Sequence, residues 1–178
     1  MTANSPRGSE WRKWDLNLHE PGTKLNDQFR APNGGELWDE YCRRLHESDV
    51  QVFGITDYFS ADCYFSAVAE YRKRYRDCPK IFFANVELRT NYVVNKAEEE
   101  VNVHVIFNPY QSDHESRISS FLGALKITRT DSSDRDVKAS ELTLTIDFES
   151  ATTTREYIRN ALVDTYGRDA DLLDHVLI

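Results

Sequence analysis

The stretch WRKWDLNLHEPGT, Trp11 to Thr23, decides how this chain is read. Its middle, Trp14-Asp15-Leu16-Asn17-Leu18, has the character of a short strand that ends on His19 and breaks at once into Glu20-Pro21-Gly22. Side chains on a strand alternate faces with a period of two, so Asn17 and His19 are expected to look into one cavity. The loop that follows, Glu20 to Gly35, holds two prolines and three glycines. It is long for a plain connection, and ordered loops of that kind at strand ends often carry function.

Outward from this stretch, strands and helices alternate. Glu36–Ser48 has helical spacing at Leu37, Tyr41 and Leu45, and VQVFGIT (50–56) is a β-branched run expected to be a buried strand. Ala61–Arg76 reads as a second helix, KIFFANVEL (80–88) and VNVHVIFN (101–108) as strands, and Asp113–Leu125 as a third helix. The charged segment Asn91–Glu100 is expected to be a solvated connector. Leu142–Ile146 alternates like an edge strand, Thr152–Tyr166 is helical with Gly167 as a stop, and LLDHVLI closes the chain as an apolar strand-like run. This alternation implies βα units with a largely parallel sheet or barrel. Residues 1–10 form a flexible lead-in and 11–178 one domain, and the abrupt apolar ending suggests the front part of something longer.

Lys and Arg total 22 against 30 Asp and Glu, a net charge of −8, which argues against nucleic-acid binding by bulk charge alone. A local basic patch or a metal meeting the phosphate is still compatible with that charge. Cys42, Cys63 and Cys78 are odd in number and lack CxxC spacing, so they read as free thiols of a reducing cytoplasm rather than as ligands. No apolar run reaches the roughly 20 residues needed to span a bilayer, and the N-terminus lacks the apolar core of a signal peptide. A cytoplasmic protein with no membrane partner is expected. GxxxxGK[ST], GxGxxG and GxSxG are absent from the sequence.

In parallel α/β folds, functional groups gather at the carboxyl ends of strands. Four successive strands deliver Asn17 and His19, then Asp57 in GITDYFS, Glu87 in FANVELR, and His104 between Val103 and Val105. Each has an ordinary structural explanation: a turn cap, a helix N-cap, an ion pair with Arg89, a satisfied core histidine. Together they form a buried acid and imidazole cluster, which costs several kcal/mol unless a cation or hydrogen bonds compensate it. His, Asp and Glu suit Zn²⁺ or Mn²⁺. Of the other histidines, His46 reads as solvated and His114 as a cap neighbour, while His175 beside Asp174 points away from it along a strand.

WDLNLH, GITDYFS, NVELR and NVHVIF, in this order, resemble the PHP (polymerase and histidinol phosphatase) superfamily. GSEWRKWDLNLHEPGTKLNDQF with TDYFS is similar, more closely, to the N-terminal PHP-like domain of large bacterial proteins that also carry an AAA-like or SMC-like ATPase. The resemblance covers roughly residues 8–110 well and the rest loosely. It implies an α/β fold, a PHP-like distorted TIM-type (β/α) barrel incomplete at the C-terminus. It also implies metal-dependent phosphoester hydrolysis with Mn, Zn or Mg, acting on a phosphate-containing substrate such as nucleic acid or a nucleotide.

Residue by residue, the resemblance puts Asn17 and His19 at the opening HxH. Glu87 falls at the bridging carboxylate and His104 at the next imidazole. Asp57 matches the aspartate of the TDH motif, with Tyr58 in place of its histidine, and Asp27 lies in a ligand-bearing loop. His19, Glu87, His104, Asn17 and Asp27 are thus the metal candidates, and Asp57 and Glu87 the catalytic ones. Asn17 and Tyr58 depart from the family pattern, and its closing D-x-H is absent. Those departures leave a second expectation, a non-catalytic PHP-like module that regulates or docks to an ATPase domain or subunit.

Overall fold

In the computed structural model, residues 12–31, 36–93, 100–129, 137–168 and 176–177 are described. The lead-in, the segment 94–99, Asp174 and His175 lie outside them, as does all of LLDHVLI except Val176–Leu177. The chain builds a mixed α/β structure around a five-stranded sheet in the order β1-β2-β3-β4-β8, curled like half of a barrel. Its strands are β1 (Trp14–Leu18), β2 (Val52–Tyr58), β3 (Ile81–Val93), β4 (Glu100–Phe107) and β8 (Val176–Leu177).

The first three strands are parallel, each joined to the next through a helix: α1 (Leu37–Glu47) and then α2 (Asp62–Arg74). The expectation of a largely parallel sheet ends there, because β4 runs antiparallel to β3 and β8 antiparallel to β4. The reason is chain length. A parallel crossover needs about a dozen residues or more, and the stretch between Val93 and Glu100 cannot supply them, so a hairpin forms. The hairpin also makes β3 longer than its apolar core, carrying Asn91–Val93 into the strand.

One face of this sheet is apolar and covered by helices. Phe53 and Ile55 of β2, Phe82, Ala84, Val86 and Leu88 of β3, and Val105 and Phe107 of β4 are buried there. They join a core with Tyr41 and Leu45 of α1 and Tyr64, Ala67 and Tyr71 of α2. Burying a side chain of that size stabilises by about 1.5–3 kcal/mol. Two further helices, α3 (His114–Ala124) and α5 (Arg155–Tyr166), add Ile118, Phe121, Ile158 and Leu162.

The second half of the chain holds a small sheet in the order β6-β5-β7, from β5 (Lys126–Arg129), β6 (Val137–Lys138) and β7 (Ala151–Thr152). It is tied to the long end of β3 where the Thr153 amide donates to the Arg89 carbonyl at 2.9 Å. The edge strand expected over Leu142–Ile146 does not form. The chain there turns into a short helix, α4 (Thr145–Ser150), because the Asp147 carboxylate accepts from the Thr143 and Leu144 amides at 2.9 and 2.8 Å. Helix α5 starts at Arg155, with the Thr154 hydroxyl accepting from the Tyr157 amide at 3.1 Å, and ends at Gly167.

Candidate active site

The sequence candidates divide between the two faces of the sheet. Along β2, Thr56 and Tyr58 share one face and Asp57 takes the other. In register, Thr56 stands beside Asn85, Tyr58 beside Glu87, and Glu87 beside His104. One face is therefore polar, with Thr56, Tyr58, Asn85, Glu87, Asn102 and His104 upon it. His104 stands opposite Glu87 in the middle of β4, set there by the antiparallel pairing. Its position is not the carboxyl end of a parallel strand.

His19 follows the end of β1 and turns onto this face. Its Nδ1 lies 3.0 Å from the Thr56 carbonyl oxygen. A carbonyl only accepts, so Nδ1 carries the hydrogen and the neutral ring keeps its lone pair on Nε2. The ring stacks on Tyr58 at 5.4 Å between centroids and 5° between planes. Nε2 stands 3.8 Å from Oε2 of Glu87. Glu87 is buried; its Oε1 accepts from Asn102 Nδ2 at 2.6 Å, and Oε2 accepts no hydrogen bond. An orphaned carboxylate oxygen facing an imidazole lone pair is a donor set that fits a divalent cation. Burial and the Glu87 charge push the Tyr58 hydroxyl above its usual range, and its oxygen accepts from Asn26 Nδ2 at 2.7 Å.

Asn85 ties the polar face together. Its amide nitrogen lies 2.6 Å from the Leu16 carbonyl, 2.8 Å from Thr56 Oγ1 and 3.0 Å from His104 Nδ1. The Leu16 carbonyl points onto this face because the β1–β2 register shifts between Asp15 and Leu18. That irregularity interrupts the alternation expected to pair Asn17 with His19. Asn17 is exposed while His19 is half-buried, and the Asn17 amide donates to Asp15 Oδ1 at 3.3 Å. Asp27 is also exposed, 3.7 Å from Arg30.

Asp57 works on the opposite face. Its Oδ1 accepts from Thr23 Oγ1 at 2.8 Å, from the Lys24 amide at 2.8 Å and from the Tyr58 amide at 2.9 Å. It thereby holds the loop after β1 against the end of β2. Around it lie Glu20 and Cys63, and one ligand atom from each of the three lies within 4.8 Å of the others. Among the described residues, His19, Glu87 and His104 do not make such a group. Glu20 is 1% exposed with neither carboxylate oxygen hydrogen-bonded, and Asp57 Oδ2 has no partner either. Burial above all pushes the Glu20 carboxyl up to about 8; the nearby Cys63 thiol opposes that shift, and the Asp57 and Asp27 charges add to it. Burial likewise pushes the Cys63 thiol up, and Asp57 and Glu20 add to that shift.

Neither Glu20 nor Cys63 was a sequence candidate. Glu20 sat in a turn, and Cys63 lacked any ligand spacing. The signal available was a buried-strand aspartate followed by a helix whose first turn carries a cysteine. His46 is exposed but stacks on Tyr75 at 3.9 Å, and His114 Nε2 lies 3.1 Å from the Tyr64 hydroxyl. An apolar groove of about 570 Å³ runs between the β3–β4 hairpin and α5, lined by Tyr92, Val101, Val103, Ile158 and Leu162. No member of either polar group lines it. No described helix is long and apolar enough to cross a membrane.

No protein-family model and no curated protein matches this sequence. A solved structure from Bifidobacterium adolescentis, which carries the provisional description metal-dependent phosphoesterase, matches with 17% identity and a TM-score of 0.35. The match covers 85% of this chain and 50% of that one, so this chain spans half the length of the neighbour.

Proposed function

We propose that this chain is a PHP-like segment of a distorted (β/α) barrel whose polar sheet face performs metal-dependent phosphoester hydrolysis. The substrate class is phosphate-containing, nucleic acid or nucleotide. The observation that carries the reading is the His19–Glu87 pair: a lone-pair nitrogen 3.8 Å from a buried carboxylate oxygen that accepts no hydrogen bond. These residues would hold a Mn²⁺, Zn²⁺ or Mg²⁺ ion, which would supply charge neutralisation for a phosphate and acidify a bound water. The chain's own residues prepare that position. The Thr56 carbonyl fixes the His19 tautomer, Asn102 orients Glu87, and the Tyr58 ring sets the plane of the imidazole. His104, held by Asn85, offers a further imidazole beside Glu87. Asp57 positions the loop after His19, while Asn17 and Asp27, which the resemblance implies as ligands, stand exposed and take no part in this pair.

Hydrolysis of bis(p-nitrophenyl) phosphate by the full chain with added Mn²⁺ tests this. Glu87→Gln and His19→Ala are each expected to lower the rate on the order of 10²-fold. An unchanged rate in both variants overturns the assignment. A second reading, a non-catalytic PHP-like module docking to an ATPase domain or subunit, is favoured by one observation: His19, Glu87 and His104 do not converge within single-ion distance. A chain with no metal-stimulated rate, encoded in frame with or beside an ATPase region, supports that reading instead.

A further inference from the structure

We propose that Glu20, Asp57 and Cys63 form a zinc site on the helix-covered side of the sheet, separate from the His19–Glu87 pair. It does not rest on the hydrolytic reading.

Two carboxylates, each 1% exposed, lie side by side, and three of their four oxygens accept no hydrogen bond. Orphaned buried carboxylate oxygens are destabilising, and two adjacent acids add mutual repulsion. The fourth oxygen, Asp57 Oδ1, takes three donors, which fixes the carboxylate beside Glu20 and Cys63 and leaves Oδ2 without a partner. Cys63 contributes the soft atom. Its thiol donates to the Gly22 carbonyl at 3.1 Å, so the sulfur already sits against the loop that carries Glu20. Gly22 adopts a φ of 91°, a conformation open to glycine, which brings its carbonyl to that place.

One thiolate and two carboxylates with an open fourth position match the borderline softness and four-coordinate habit of Zn²⁺. Binding replaces the Cys63 S–H bond by an S–Zn bond, and the thiol proton and the Glu20 carboxyl proton both leave to solvent. The ion joins three elements: the loop after β1, the end of β2 and the first turn of α2. Its role is therefore to fasten the segment that follows His19.

Cobalt is the probe. Metal-stripped full chain titrated with Co²⁺ is expected to develop a saturable thiolate-to-metal charge-transfer band, specific to this site, that Zn²⁺ bleaches. Cys63→Ser loses the band, whereas Cys42→Ala, Cys78→Ala and Glu87→Gln retain it. Glu20→Gln weakens Co²⁺ binding at least about tenfold, as loss of a direct ligand should. Retention in Glu87→Gln separates this site from the hydrolytic pair. If Cys63→Ser does not fold, alkylation of the unmutated chain decides: Zn²⁺ is expected to protect Cys63, read by peptide mass. A band that persists in Cys63→Ser, or alkylation of Cys63 at an equal rate with and without Zn²⁺, overturns the proposal.

Discussion

At Gly54 the chain has no room for a side chain. A Cβ there would meet the Leu16 carbonyl oxygen at 2.3 Å and the Leu16 carbonyl carbon and Cα at 2.8 Å. These are backbone atoms of a strand already fixed by Asn85, so neither side can yield. Gly54→Ala is therefore expected to destabilise by about 3 kcal/mol, read as a lower urea midpoint with an unchanged slope. Lys80 is a second such position. Its ammonium donates to the Leu45, Ser48 and Val50 carbonyls at 2.5, 2.7 and 2.9 Å and so closes the C-terminal end of α1. Lys80→Met keeps an unbranched chain of similar length but removes the ammonium that lies over the Phe53 ring and leaves three carbonyls short of a donor. A loss of about 2–3 kcal/mol is expected, and a midpoint equal to that of the parent chain would falsify the clamp.

Among the elements, α4 shows how a local pattern misleads. Leu142-Thr-Leu-Thr-Ile146 alternates as a strand should, yet Asp147 takes two backbone amides and opens a helix. Those amides, with Arg129 2.8 Å from its other oxygen, hold the Asp147 carboxyl below its usual value of 3.8. A depressed folded-state value contributes stability that is complete above the unfolded value and drains away as pH falls through the folded one. Asp147→Asn should thus melt earlier than the parent at neutral pH, and the two melting curves should converge only as pH falls well below the usual carboxyl value of 3.8. A gap that stays constant with pH contradicts this. The strands β1 to β4 and helices α1, α2, α3 and α5 were legible because long apolar periods specify them. The pairs β5–β6 and β5–β7 were not, since two- to four-residue strands carry too little pattern. Gly167 was legible as a stop; at φ 88 and ψ 162 it occupies a region closed to other residues, and Gly167→Ala is expected to cost about 1–2 kcal/mol.

For the molecule as a whole, the net charge of −8 sets a limit on how nucleic acid could be bound. Without divalent cation, a duplex oligonucleotide is expected to show no saturable binding at micromolar protein and physiological salt, because the nonspecific electrostatic contribution has the wrong sign. Saturable binding in a gel-shift with excess chelator contradicts that limit. The site was half legible at this scale. Glu87 and His104 were named from strand patterns and stand opposite one another in the β3–β4 register. Asn17 and His19 were paired by an alternation that the β1 irregularity interrupts, and irregularities of register leave no mark in composition. Glu20 and Cys63 lie 43 residues apart, and only the folded chain brings them together. One strand, β2, feeds both groups: Thr56 and Tyr58 to one side, Asp57 to the other. This has a consequence for how the gene can vary. Conservative substitutions in Val52–Ile55 need preserve only bulk, except at Gly54. A single-codon insertion or deletion in the same stretch would exchange the faces of Thr56, Asp57 and Tyr58 and dismantle both groups at once. A library that scores every substitution and every one-residue indel through β2 should find the indels uniformly lost among many tolerated replacements.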